Sequence, residues 1–376
     1  MGVVGHAAIL RGLRLSSLAV TTMTRYVFRT LATMALALVA ALGWSALALP
    51  LPWMIGPLLA TAFVSISGLP VSSPIPLRNM AQWLIATSLG LYFTPAMTQL
   101  LLPLWWMVLL AIAWALVLGL GLGWFLHRFG LPGVEGTARA RRATSYFSGT
   151  IGGASEMTLL SEREGARSDL VAGAHSLRML VVTVCIPFGF TWAGLHGMDA
   201  TVPGMREVRW PELAVLLGAS GLGCLVIRAL GWVNPWFIGA LGTTMALSAS
   251  GIQLSAMPPE LSSAAQLVIG ISLGIRFRRE FLGQAPRWIA VAVLGTVLSI
   301  AVSVGFSWTM VQLTGLNLGT LILGTAPGGI AEMAITAKVL QLGVPLVTAF
   351  QVCRLIAVLL IVAPLYRWLY RHEISA

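Results

Sequence analysis

Twelve apolar segments divide this sequence, and no compact module stands outside them. They cover about 31–49, 52–68, 78–93, 101–127, 143–161 and 170–190, then about 212–230, 235–251, 260–276, 287–311, 319–340 and 345–365. Charged residues make up 9% of the chain, against about 25% in soluble domains. A chain with so little charge cannot cover a water-facing surface. The pattern predicts an all-α polytopic membrane protein.

The net charge of +11 would suit nucleic acid if it were gathered on one module. Instead the basic residues are arginines apart from Lys338, and most fall in the short gaps between apolar runs. That is where the positive-inside rule places them. Cys185, Cys224 and Cys353 lie far apart within apolar runs and suggest no disulfide framework. The first 30 residues form a basic segment without an acid. They lead into an apolar run of about 20 residues, long enough to be a first transmembrane helix. A secretory signal ending near the small residues of "SALA" (Ser45–Ala48) is the alternative. Ahead of Met23 the chain is either unstructured or an over-extended start.

The last six segments echo the first six. "PWMIG" at Pro52–Gly56 returns as "PWFIG" at Pro235–Gly239, 183 positions on. "SLGL" at Ser88–Leu91 returns as "SLGI" at Ser272–Ile275, and Gln82 as Gln266, both 184 on. Glu156 returns as Glu332 and Arg178 as Arg354, both 176 on. The chain therefore reads as a first repeat over 31–197, a linker over 198–211 and a second repeat over 212–370. Internal symmetry of this kind is a transporter signature.

Charge sets the relative orientation of the copies. In the first, the gap after the third segment has no charge, and the gap after the fourth carries Arg128, Arg139, Arg141 and Arg142. In the second, the gap after the third carries Arg276, Arg278, Arg279 and Arg287, and the gap after the fourth has none. Basic loops face the cytoplasm, so equivalent loops lie on opposite sides and the repeats are inverted. Inversion needs an odd number of crossings per copy. This predicts about ten transmembrane helices plus two re-entrant or broken segments, the fifth of each copy. Both termini then face the cytoplasm, in keeping with Arg25, Arg29, Arg367 and Arg371.

The broken segments carry the chemistry. "GTIGGASEM" (Gly149–Met157) and "GTAPGGIAEMAITAK" (Gly324–Lys338) each place a glycine pair three residues before a glutamate. Gly152-Gly153 and Gly328-Gly329 would let the backbone bend and approach a ligand. A helix restarting after them presents free N–H groups and a positive end. Two such ends near the midplane are how discontinuous helices build substrate and ion sites. Glu156 and Glu332 could there hold a proton or a cation. On the next segment, His175 and Arg178 share a helix face, as do Gln351 and Arg354. An arginine inside a span is expensive and marks a function, either neutralising a glutamate or binding an anionic substrate. The competing reading is structural: Glu156–Arg178 and Glu332–Arg354 as ion pairs that pin the breaks. Pro327 reads as an insertion that elaborates the second copy. Lys338, where the first copy has Glu162, adds a further candidate binding residue.

These motifs, with the His175/Arg178 and Gln351/Arg354 helices behind them, resemble the AbrB-type membrane protein family. The resemblance covers about residues 30–370. It implies a multi-pass protein of the bacterial inner membrane, with labels ranging from regulator of gene expression to ammonia monooxygenase and no settled substrate. The broken-helix plan is similar to that of proton antiporters and bile-acid-type symporters. The oxygenase label lacks residues to carry it. His6, His127, His175, His196 and His372 form no HxxH or ExxH pair, and a copper or di-iron site needs clustered histidines and carboxylates. No helix-turn-helix or soluble domain offers a DNA-binding role. The sequence thus predicts no enzyme, cofactor or metal. Its expected partners are the lipid bilayer and a small-molecule solute or ion, without direct nucleic-acid contact, and it leaves the oligomeric state open. The function it favours is secondary transport with proton coupling. A membrane-embedded regulator or sensor that affects gene expression without transport is the alternative.

Overall fold

The computed structural model describes residues 2–131, 136–195, 197, 207–252, 254–277 and 285–370, with side chains from Met23 onward. Arg278, Arg279, His196, Arg371, His372 and linker positions 198–206 lie outside the described residues, as does the His6 side chain. The described elements are α-helices with short 3₁₀ and π extensions. In chain order the first half supplies α1 (Gly2–Ala46), α2 (Pro52–Ile66), α3 (Ile75–Gly90), α4 (Pro95–Leu101), α5 (Trp105–Phe125), α6 (Ala138–Gly149), α7 (Ala154–Arg163) and α8 (Ser168–Trp192). The second half supplies α9 (Trp210–Ala229), α10 (Pro235–Ala249), α11 (Pro259–Gly274), α12 (Pro286–Thr314), α13 (Leu318–Thr325), α14 (Ile330–Val339) and α15 (Val344–Leu369).

Six stretches are long and apolar enough to cross a membrane: Met23–Ala46, Pro95–Gly130, Ser168–Trp192, Trp210–Ala229, Pro286–Thr314 and Val344–Leu369. Their outward faces are apolar, with Phe28, Trp124, Leu222, Trp308 and Leu360 all exposed. A helix that presents apolar side chains outward along its length has lipid for a solvent. The chain is an all-α polytopic membrane protein. Four further helices (α2, α3, α10 and α11) run only 15 or 16 residues. That is short of the ~20 needed to cross at 1.5 Å per residue. Length alone therefore supports six of the ten expected spans.

The helices form two bundles, and each draws on both halves of the sequence. One holds α1, α2 and α3 with α9, α10 and α11; α2 packs on α11 and α3 on α10. The other holds α5 to α8 with α12 to α15; α12 packs on α8 and α15 on α5. The crossings in the first bundle are reciprocal. A Cβ at Gly90 of α3 would lie 2.6 Å from Thr244 Cβ of α10, and one at Gly274 of α11 would fall on the hydroxyl of Thr61 in α2. Gly90 and Gly274 are equivalent in the repeat, as are Thr61 and Thr244. Small residues at such crossings let backbones approach where apolar burial gives no advantage over lipid. The repeat also preserves a rarer feature. Leu51 and Asn234, one residue ahead of α2 and α10, are both left-handed, at φ 49° and φ 47°. Asparagine tolerates that conformation; leucine does so at a steric cost.

Candidate functional site

The fifth segments are broken where the glycine pairs stand. α6 ends at Gly149 and α7 starts at Ala154; α13 ends at Thr325 and α14 starts at Ile330. Between them the backbone is non-helical, and the glycine just ahead of each restarted helix is extended, Gly153 at φ −67°, ψ 139° and Gly329 at φ −83°, ψ 156°. These dihedrals are open to any residue, so at Gly153 and Gly329 it is not backbone freedom that glycine supplies. The glycines make room instead. A Cβ on Gly152 would meet the Met157 side chain at 2.8 Å, and one on Gly328 the Met333 side chain at 2.7 Å. A Cβ on Gly153 or Gly329 would fall on Oε2 of Glu156 or Glu332. Each glutamate thus folds back over the start of its own helix. The unpaired N–H groups and positive dipole end there favour a carboxylate, and Glu332 lies within reach of its own backbone N–H.

The preceding half-helices end in carbonyls with no helical partner, and the arginines serve these. Arg178 donates to Thr150 O at 2.8 Å and Gly152 O at 3.4 Å. Arg354 donates to Ala326 O at 2.7 Å and Gly328 O at 2.6 Å. Each guanidinium also leans on the residue three positions back, Arg178 on His175 Nδ1 at 2.7 Å and Arg354 on Gln351 Oε1 at 2.5 Å. These residues bond in turn to the half-helix ends: His175 Nε2 to Phe147 O at 2.9 Å, Gln351 Nε2 to Leu323 O at 2.7 Å. A carbonyl only accepts and a guanidinium only donates, so His175 carries its proton on Nε2 and is neutral. Charge-assisted bonds of this kind are worth about 1.5–3 kcal/mol each.

Among the described residues no ion pair joins Glu156 to Arg178 or Glu332 to Arg354. The competing reading of two structural ion pairs is corrected, for a physical reason. Each charge already faces a helix end of opposite sign, the arginines the carbonyl end and the glutamates the amide end. Pro327 also needs correcting. The two breaks have equal length, and Pro327 replaces Ile151 rather than being inserted. It closes a tight turn in which Gly328 N–H donates to Ala326 O at 2.8 Å.

Both breaks line one cavity of about 280 Å³. Its wall includes Gly152, Gly153, Glu156 and Arg178 from the first half, and Gly328, Gly329, Glu332 and Arg354 from the second. It reaches the exterior, since Ser155 lines it and is exposed. His175 and Gln351 are not in the wall; they stand behind the arginines. Sequence reasoning missed the rest of its polar lining: Arg78, Asn79 and Gln82 of α3, Asn234 ahead of α10, and Ser272 and Arg276 at the end of α11. Arg78 had a readable signal, as a lone charge at the start of an apolar segment. Arg276 was read only as a loop charge that reports topology.

The family described as "Transition state regulatory protein AbrB" matches residues 53–370. The chain belongs to the AbrB family. Two relatives extend the match. A protein of Escherichia coli (strain K12) named "Putative regulator AbrB" is 26% identical over 335 residues, covering 86% of this chain and 92% of that protein. "Uncharacterized protein YhjN" of Bacillus subtilis (strain 168) is 24% identical over 309 residues, covering 77% and 78%.

One candidate of this AbrB-family chain stands apart from the cavity. Lys338 Nζ, at the far end of α14, donates to Ser88 Oγ at 2.6 Å and Ser262 Oγ at 3.4 Å. In the repeat, Ser88 corresponds to Ser272 and Ser262 to Arg78, both in the cavity wall. Lys338 therefore touches, in the other half, two positions whose sequence counterparts line the cavity. Its own counterpart, Glu162, is exposed.

Proposed function

We propose that this AbrB-family protein is a secondary transporter of a small solute in the bacterial inner membrane, with proton coupling through Glu332 and Glu156. One observation carries the reading: two broken helices, from different halves of the sequence, bring their glutamates to one cavity that reaches the exterior. Discontinuous helices at a repeat interface are how transporters place ligands at membrane depth. The reciprocal Gly90–Thr244 and Gly274–Thr61 contacts suit two repeats related by a pseudo-two-fold axis. The swapped arginine gaps make the repeats inverted, with both termini cytoplasmic and the cavity open toward the side of Arg276. Alternating access requires the cavity to open to one side at a time, and the Lys338 contacts with Ser88 and Ser262 would help to close the side opposite the present opening. The work is positioning and ion binding and calls for no bond-making chemistry. The alternative, a regulator that does not transport, rests on the names borne by the family and by one relative.

The test is Glu332→Gln, which keeps the shape and removes the charge. Purified wild-type and variant proteins are reconstituted in proteoliposomes, and currents are recorded on a solid-supported membrane during exchange into a panel of metabolites. A solute that drives current in the wild type and none in a variant with an unchanged melting temperature supports the reading. Equal currents in both would sink it.

A further inference from the structure

We propose that the solute is a small oxyanion of net charge −2, a dicarboxylate or inorganic phosphate, gripped across the cavity by Arg78 and Arg276. The inference rests on the transport reading and deepens it. Arg78 and Arg276 are half-buried in the cavity wall, and among the described residues their side chains make no hydrogen bond or ion pair, although their backbone N–H groups bond to Pro74 and Leu273. They come from different bundle helices, α3 and the end of α11, yet Arg276 lies within electrostatic reach of Arg78 as well as of Glu332 and Glu156. Two guanidinium groups facing one partly desolvated space repel each other unless an anion sits between them.

The glutamates offset that repulsion only in part. Both lie within electrostatic reach of Arg276, and Glu332 also of Arg78, but each is folded over its own helix start rather than set between the two guanidinium groups. Four arginines (78, 178, 276 and 354) then face two carboxylates in one wall, an excess of two positive charges. Arg178 and Arg354, 3% and 5% exposed, each keep a buried Nε–H without a partner. The wall thus holds donors in surplus of its acceptors. A cation would meet the excess charge, and a neutral solute would leave the arginines unpaired. An oxyanion satisfies both demands, because the planar fork of arginine matches two oxygens of a carboxylate or phosphate. The space suits a small one: 280 Å³ is about nine waters at ~30 Å³ each.

The experiment is isothermal titration calorimetry on the full chain purified in detergent, with sodium succinate and sodium phosphate as probes and ammonium chloride as the cation control. Saturable binding of succinate alone names a dicarboxylate, and of phosphate alone names phosphate; either supports the proposal. Arg78→Gln and Arg276→Gln should each weaken that binding about tenfold or more. Arg276→Lys should restore part of it. Arg287→Gln, outside the cavity wall, should leave it unchanged. Each variant is checked for a single size-exclusion peak. Absence of binding by both anions to a folded wild type overturns the proposal, as does binding that both glutamine variants retain. The readout needs no gradient. An anion that binds but is not moved in proteoliposomes refutes transport and leaves this inference standing. Movement of a cation or neutral solute without anion binding does the reverse.

Discussion

The two breaks share one hydrogen-bond plan and differ in how deeply they are buried. In both, an arginine ties two carbonyls of the break, a neutral amphoteric side chain bridges that arginine to the half-helix end, and a glutamate covers the restarted helix. His175 and Gln351 do the same work because each offers one donor and one acceptor in the needed directions. Thr150 and Ile151 are as buried as their counterparts Ala326 and Pro327, but in the second copy Gly328 and Ala331 are buried too, and Glu332 is 5% exposed. In the first, Gly152, Gly153 and Glu156 are half-buried and Ser155 is exposed. The second break also has its proline-closed turn and Lys338. The difference teaches that one hydrogen-bond plan can hold a broken helix open at two depths of burial. The first break is the more exposed wall of the cavity and the second the more buried one.

The largest expected effect breaks the plan itself. Arg354→Met strands Gly328 O, takes one donor from Ala326 O and leaves Gln351 Oε1 short of a partner in a buried setting; it should cost about 3–5 kcal/mol, seen as lost folded yield and a lower melting temperature in detergent. Arg178→Met should cost less, because water reaches Gly152. Equal costs would erase the claimed difference in burial.

Next come the bridging residues. His175→Leu and Gln351→Leu each leave a buried carbonyl and a guanidinium short of a partner, for about 1–3 kcal/mol. The exchanges His175→Gln and Gln351→His keep both bonds and should cost less than about 1 kcal/mol. Thermal melts of these four variants sharpen the comparison. An exchange as damaging as the leucine variants would show that the two sites are not equivalent. Smaller again is Gly329→Ala against Gly153→Ala. Both methyl groups displace a glutamate, but only the one at Gly329 also meets Met179 Cε, at 2.8 Å. Gly329→Ala should be the more destabilising by about 1 kcal/mol, within the range of small overpacking effects. The smallest stability effect belongs to Lys338→Met. It loses two serine contacts on a half-buried side chain and should shift the melt by less than about 1 kcal/mol.

Much of the fold was legible because a membrane simplifies the code. Apolar run length gave the helices, and glycine pairs between apolar runs marked the two breaks. The repeat offsets identified Arg178 with Arg354 before any contact was known. Two things were not legible. The roles of Arg178 and Arg354 depend on which backbone carbonyls a break leaves unpaired, and no side-chain pattern records that. The Arg78–Arg276 wall depends on α3 crossing to face the breaks beside the end of α11, a juxtaposition that pairs residues nearly 200 positions apart. Sequence spacing placed Lys338 near Glu332, but a helix of 10 residues carries its last turn well away from its first.

Inversion of the repeats is the claim on which the transport reading and the side of the cavity's opening depend, and cysteine accessibility in intact cells tests it directly. Cys185, Cys224 and Cys353 are free thiols, so they are first replaced. Single cysteines are then placed at Ala138 and Ala285, in the two arginine-bearing gaps, and at Gln99 and Gln312, near the two uncharged ones. A membrane-impermeant maleimide applied from the periplasm should label Gln99→Cys and Gln312→Cys and spare Ala138→Cys and Ala285→Cys. Labelling that places Gln99 and Ala285 on the same side would make the repeats parallel and contradict the account.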